Sequence, residues 1–172
     1  VGIQSALTLL ALTGGTLYVP KGTYLIENAR LIYNSIKPLT ILCASHGAVF
    51  KRGTFPADLP LDGGGIEPIS HDVGMINIHG TSEDAHNPSV VVHNCAFDFG
   101  GSIAAPLNTS RRGLNIHHAN HVSVTHNIFQ HGSAEMLFLG FYGPTTTKVG
   151  KYHYIADNHF EDWNQNAINP NA

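Results

Sequence analysis

Leu114-Asn115-Ile116-His117 repeats Ile76-Asn77-Ile78-His79 at a distance of 38 residues. Both tetrads alternate apolar and polar, the period of a strand with one face turned to a core. Looser copies follow: Leu137-Phe138-Leu139-Gly140 after 23 residues and Ile168-Asn169-Pro170-Asn171 after another 31. A second series keeps its place in each repeat: Val90-Val91-Val92, then Val122-Ser123-Val124, then Tyr152 to Ile155. A third is Asn127-Ile128-Phe129 and Asn158-His159-Phe160, with Asn94-Cys95-Ala96-Phe97 as a looser relative. Each repeat therefore carries three short strands. Hairpin turns are nearly missing, and Asp62-Gly63 is not flanked by alternating runs.

Unequal spacings with a constant internal order predict an all-β chain wound into parallel coils, stacked about 4.8 Å apart. Ile, Leu, Val and Phe then fill the interior. The Asn before Phe129 and Phe160 suits a stacked amide ladder. An antiparallel sandwich is the competing architecture, and it accounts less well for repeats of variable length. Upstream, Ile3, Ala6, Leu7 and Leu10 follow helical spacing, and Gly14-Gly15 end that helix. Leu17-Tyr18-Val19, Tyr24-Leu25-Ile26 and Thr40-Ile41-Leu42 read as strands between Pro and Gly breaks. Thr54 to His71 reads as a long loop. Its Gly63-Gly64-Gly65 is not followed by Lys-Ser/Thr, which argues against a phosphate-binding loop.

The 172 residues include 9 Lys+Arg, 12 Asp+Glu and 12 His, for a formal charge of −3. Charged residues make up 12%, against about 25% in ordinary soluble domains. The 42% hydrophobic content excludes a disordered chain. Scattered Lys and Arg form no basic stripe, so phosphate-driven nucleic-acid binding is not expected. No run reaches the roughly 18 apolar residues of a membrane span. Val1 to Pro20 lacks the positive start of a secretory leader. With no initiating Met and an end at Asn169-Pro170-Asn171-Ala172, the chain reads as a segment of a longer polypeptide. Cys43 and Cys95 sit in apolar runs and read as two buried thiols, which establish no redox compartment. The sequon Asn108-Thr109-Ser110 is too short a pattern to argue secretion.

Ile3-Gln4-Ser5-Ala6-Leu7, followed by Gly14-Gly15-Thr16-Leu17-Tyr18-Val19-Pro20-Lys21-Gly22-Thr23-Tyr24, resembles the opening of pectate-lyase-like right-handed β-helix proteins. The resemblance covers residues 3–26 as a cap motif and about 74–171 as coils. It implies a right-handed, single-stranded parallel β-helix with a short N-terminal capping helix. The expected layout is one domain, 1–172, with the cap at 1–26 and coils at about 27–172. Polysaccharide lyases, hydrolases, epimerases and phage tailspike depolymerases share that scaffold. The resemblance thus implies a long carbohydrate across the coils and an extracellular setting, secreted or virion-associated. A homotrimer is compatible with it. Scaffold alone does not fix the chemistry.

If Leu114 and Ile116 point inward, Asn115 and His117 share the outer face. The same frame adds Asn77 and His79, then Phe138, then Asn169 and Asn171. This neutral strip with one aromatic suits sugar hydroxyls and ring stacking, or merely solvates the sheet. His117 is the candidate base for removing the proton α to a uronate carboxylate. Arg112, beside Arg111, is the candidate partner for that carboxylate. Gly113-Leu114-Asn115-Ile116-His117 is similar in frame to the Gly-apolar-Asp-Pro-His-Glu strand of mannuronan epimerases. Asn115, Ile116 and His118 replace the Asp, Pro and Glu, which removes support for epimerisation. Hydrolysis needs two carboxyls. Glu135 is the best placed, though an ion pair with Arg112 explains it as well. Asp157 and Asp162 are expected on another face. His117, His118, His121, His126 and His131 lack a fixed ligand spacing, so no zinc is expected. No carboxylates cluster for calcium, and no cofactor is implied. The expected activity is that of a lyase or depolymerase on an acidic polysaccharide. A tailspike-type glycosidase and a non-catalytic glycan-binding shaft are the alternatives.

Overall fold

The computed structural model describes residues 2–26, 31–45, 47–53, 74–81, 85–100, 112–132, 136–140, 151–162 and 168–169. Among the described residues one helix, α1 (Ile3–Thr13), precedes fifteen short strands. The strands are dealt out in threes, so each sheet takes every third one. The first sheet holds β1 (Gly15–Val19), β4 (Leu39–Cys43), β7 (Val90–His93), β10 (Val122–Thr125) and β13 (Tyr154–Ala156). The second holds β2 (Gly22–Ile26), β5 (Ala48–Arg52), β8 (Ala96–Asp98), β11 (Ile128–Gln130) and β14 (His159–Glu161). The third holds β3 (Leu31–Asn34), β6 (Gly74–His79), β9 (Arg112–His117), β12 (Leu137–Gly140) and β15 (Ile168–Asn169).

Every strand pairing among the described residues is parallel, which removes the antiparallel sandwich. Three parallel sheets in this order are compatible with a parallel β-helix. The sequence repeats are the paired registers. Ile76 lies against Leu114, Leu114 against Leu137, and Leu137 against Ile168. The strands within residues 1–26, β1 and β2, are the first members of the first and second sheets.

Stacking of like residues builds the core. Tyr24, Phe50, Phe97, Phe129 and Phe160 form one column inside the second sheet, with centroids 6.0, 5.4, 5.0 and 4.8 Å apart in turn. Offset or stacked aromatic neighbours add about 0.5–1.5 kcal/mol per pair beyond their burial. Leu39, Val90 and Val122, then Ile41, Val92 and Val124, line the first sheet, all at 1% exposure or less. A second column is polar. The Asn127 side-chain Oδ1 accepts the Cys95 N–H at 2.9 Å, and Asn158 Oδ1 accepts the Asn127 N–H at 2.9 Å. The Asn127 and Asn158 amides also join directly at 2.9 Å, which is the expected amide ladder.

Helix α1 covers the open edge of β3. The Gln4 amide copies a strand there: its Oε1 accepts the Ile32 N–H at 2.8 Å and its Nε2 donates to the Ile32 carbonyl at 2.9 Å. Ser35 and Tyr33 hydroxyls donate to the carbonyls of Ala11 and Leu10. An edge strand is covered in this way before it can pair with another chain. Leu7 is buried and Leu10 packs on the core, as the helical spacing predicts. Gly14, at φ 73°, ends the helix with its N–H on Leu10 O.

The cysteines depart from expectation. Cys43 and Cys95 are joined as a disulfide beside two neighbouring strands of the first sheet, not held as separate thiols. Cys43 ends β4 and Cys95 lies just past β7, its neighbour in the first sheet.

Candidate functional site

The third sheet assembles the expected strip. Ile32, Asn77, Asn115, Phe138 and Asn169 lie in one row of the register. Asn34, His79, His117 and Gly140 form the next. The apolar partners Ile76, Ile78, Leu114, Ile116, Leu137 and Leu139 belong to the core, so the strip lies on the opposite face.

Its exposure differs from the expectation. Asn77, Asn115 and His117 are each 0% exposed, Phe138 is 1% and His79 is 6%. Alternation along a strand says which face a side chain takes, not whether that face meets water. The His117 ring sits 5.0 Å from the Phe138 ring and 6.4 Å from that of His118. Asn77 is committed to its own strand. Its Oδ1 accepts the Gly74 N–H and its Nδ2 donates to the Gly74 carbonyl, both at 2.8 Å. Asn115 Nδ2 donates to the same Oδ1 at 3.1 Å. These amides clamp the entrance of β6, where Met75 joins Ile76 in the core. His79 Nδ1 lies 3.1 Å from the Gly80 carbonyl.

Arg112 opens β9, paired with Gly74, and Asn169 closes β15 opposite Phe138. Of both, only the backbone is described. Glu135, Arg111, Asn171 and the Thr54–His71 loop lie outside the described residues.

The histidine-rich stretch has a conformational cause. His118, His121, His126 and His131 all have φ between 45° and 57°, and all stand at corners between strands. Asn, Asp and His enter this left-handed region more readily than other non-glycine residues. Asn94, Asp157 and Asp162 occupy matching corners at φ 60°, 55° and 52°. One coil on, His121 stacks on Tyr152 at 4.8 Å, and His126 Nε2 lies 3.8 Å from an Asp157 oxygen. Among the described residues no group of three or more His, Cys, Asp or Glu could hold a metal ion.

Asp157 and Asp162 lie away from the third sheet, as expected, at corners on either side of β14. Asp162 belongs to a polar group that the sequence reading did not assemble. Asp98, on the outer side of β8, takes the His131 ring Nδ1 at 2.9 Å and the Gly100 N–H at 3.0 Å. Lys51 Nζ stands 3.7 Å from its other oxygen, and His131 Nε2 lies 3.6 Å from Asp162 Oδ2. Burial alone would raise the Asp98 pKa. The His131 and Gly100 hydrogen bonds, with the charges of His131 and Lys51, outweigh it and hold the carboxyl below its usual value.

The fold and strip define a class: an all-β chain of three parallel sheets with a buried His/Asn strip on one of them. No protein-family model, no curated protein and no solved structure matches the chain. No helix among the described residues is long and apolar enough to cross a membrane.

Proposed function

We propose that the chain is part of a right-handed, single-stranded parallel β-helix that acts on an extracellular acidic polysaccharide as a lyase or depolymerase. The observation that carries this reading is the third-sheet register, which sets His79 against His117 and Asn115 against Phe138. An imidazole, amides and an aromatic ring then share one face, the groups a uronate sugar needs for proton transfer, hydroxyl pairing and stacking. His117 is the proposed base and Arg112 the proposed carboxylate partner. The Cys43–Cys95 disulfide supports an oxidising, extracellular compartment.

Incubation with a panel of polyuronates tests the reading. The expected result is an unsaturated-uronate absorbance that His117→Ala lowers about 100-fold or more. New reducing ends without that absorbance would show hydrolysis instead. A second reading, a non-catalytic glycan-binding or structural shaft, is favoured by the burial of His117 and the commitment of Asn77 to Gly74. Retained glycan binding without any product would select it.

A further inference from the structure

The outer side of the second sheet offers what the third-sheet strip withholds: an imidazole open to solvent and already oriented by a carboxylate. Asp98 is 9% exposed and fixed by three neighbours, Gly100, Lys51 and His131. The His131 side chain retains 44% of its exposure. The 2.9 Å bond from Nδ1 to Asp98 Oδ1 requires the proton on Nδ1, because an ionised carboxylate only accepts. A neutral His131 therefore carries its lone pair on Nε2. The Asp162 oxygen, 3.6 Å from Nε2, is beyond hydrogen-bond range, and a carboxylate has no proton to place on that lone pair. Lys51, Asp98, His131 and Asp162 come from four successive coils. Stacking, not sequence proximity, places them together.

We propose that Asp98 and His131 form a solvent-open proton-transfer dyad, separate from the His117 strip, that acts on an anionic sugar with Lys51 as the counter-charge. The substrate class rests on the reading proposed above. His131 is the catalytic group and Asp98 the positioning residue, in the relation by which a buried carboxylate fixes an imidazole tautomer in hydrolase triads. In the step, Nε2 takes the proton on the carbon next to the uronate carboxylate. The released electron pair forms the carbon–carbon double bond as the glycosidic C–O bond breaks. The departing oxygen then recovers the proton from the imidazolium, so no further reactant is required. Lys51 offsets the carboxylate charge as it spreads.

Two measurements on the whole chain test this. Nitrogen-15 NMR of the histidine side chains, taken well above the imidazole reference pKa of about 6.5, should show His131 as the Nδ1–H tautomer. Asp98→Asn should disturb that tautomer preference while leaving the other histidines unchanged. On polyuronates, His131→Gln should lower about 100-fold the unsaturated product that the His117→Ala chain still forms. His126→Gln, a matching change at another corner, should leave it unchanged and controls for folding. An Nε2–H tautomer at His131 in the wild-type chain would overturn the dyad alone. So would residual turnover in His117→Ala that His131→Gln does not lower further, which leaves the third-sheet reading standing. Absence of unsaturated product from the wild-type chain would overturn both sites.

Discussion

Asn127→Ala should be among the most damaging single-residue truncations of a polar side chain in the coil stack. Asn127 is 1% exposed, and its amide serves three backbone groups at once. Oδ1 accepts the buried Cys95 N–H at 2.9 Å, while Nδ2 donates to the Val92 and Thr125 carbonyls at 3.0 Å each. Alanine leaves the Cys95 N–H without that acceptor in a place water does not reach. An orphaned buried group costs about 1–3 kcal/mol. Adding weakened pairing at the two carbonyls, about 2–4 kcal/mol is expected, a fall in Tm of about 5–15 °C for a chain of this size. Asn158→Ala should cost less: its Oδ1 also takes a backbone N–H, that of Asn127, but Asn158 is half-buried and its Nδ2 serves one carbonyl, Val124 O, where Asn127 serves two. Urea unfolding followed by circular dichroism measures both, with equal slopes required for the comparison. If Asn127→Ala lies within about 0.5 kcal/mol of wild type, or Asn158→Ala costs more, the ladder does not hold the corners together.

The disulfide closes a separation of 52 residues, for which the chain-entropy relation gives about 4 kcal/mol. The Cys43→Ser/Cys95→Ser double variant should lose a measurable part of that in urea, and reduction of the wild-type chain should match it. A variant as stable as wild type under oxidising conditions would show that the bond does not form in solution. Asp98 sets an acid limit. Its folded pKa is lowered, so its contribution is complete above the unfolded carboxyl value of about 3.9 and is lost as pH falls through the folded one. Asp98→Asn should therefore lower stability at neutral pH and flatten its loss below about pH 4. An unchanged acid profile in urea titrations at several pH values would refute this.

The two tetrads ending in His79 and His117 were enough to specify the third-sheet register, because a period of two leaves no freedom once the apolar residues face inward. Phe97, Phe129 and Phe160 did the same for the second sheet. The disulfide was not legible because the sequence repeats plainly only from Gly74 onward. Once Leu39–Cys43 is aligned with the strand from Val90, Cys43 falls beside the corner that holds Cys95. The contact of Asp98 with His131 was hidden for another reason. His131 stands at a corner with φ 56°, and that backbone turn, not strand alternation, aims its ring. The burial of His117 had no signal in its own strand, since the pattern reports only which side of the sheet it takes.

The passage from the first sheet to the second stays short, four residues between β4 and β5 and two in the other four cases. Two residues separate β7 from β8, β10 from β11 and β13 from β14. The other two passages stretch freely. The chain spends 21 residues between β5 and β6, 13 between β8 and β9, and 6 between β11 and β12. Corners tied by the asparagine ladder tolerate no insertion without breaking the stack. Elsewhere, doubling a connection costs only about 0.6 kcal/mol in closure entropy. Growth is thereby directed to both margins of the third sheet. A lineage built on this frame can redraw the ground beside His79 and His117, coil by coil, while Asn127 and the aromatic column stay in place.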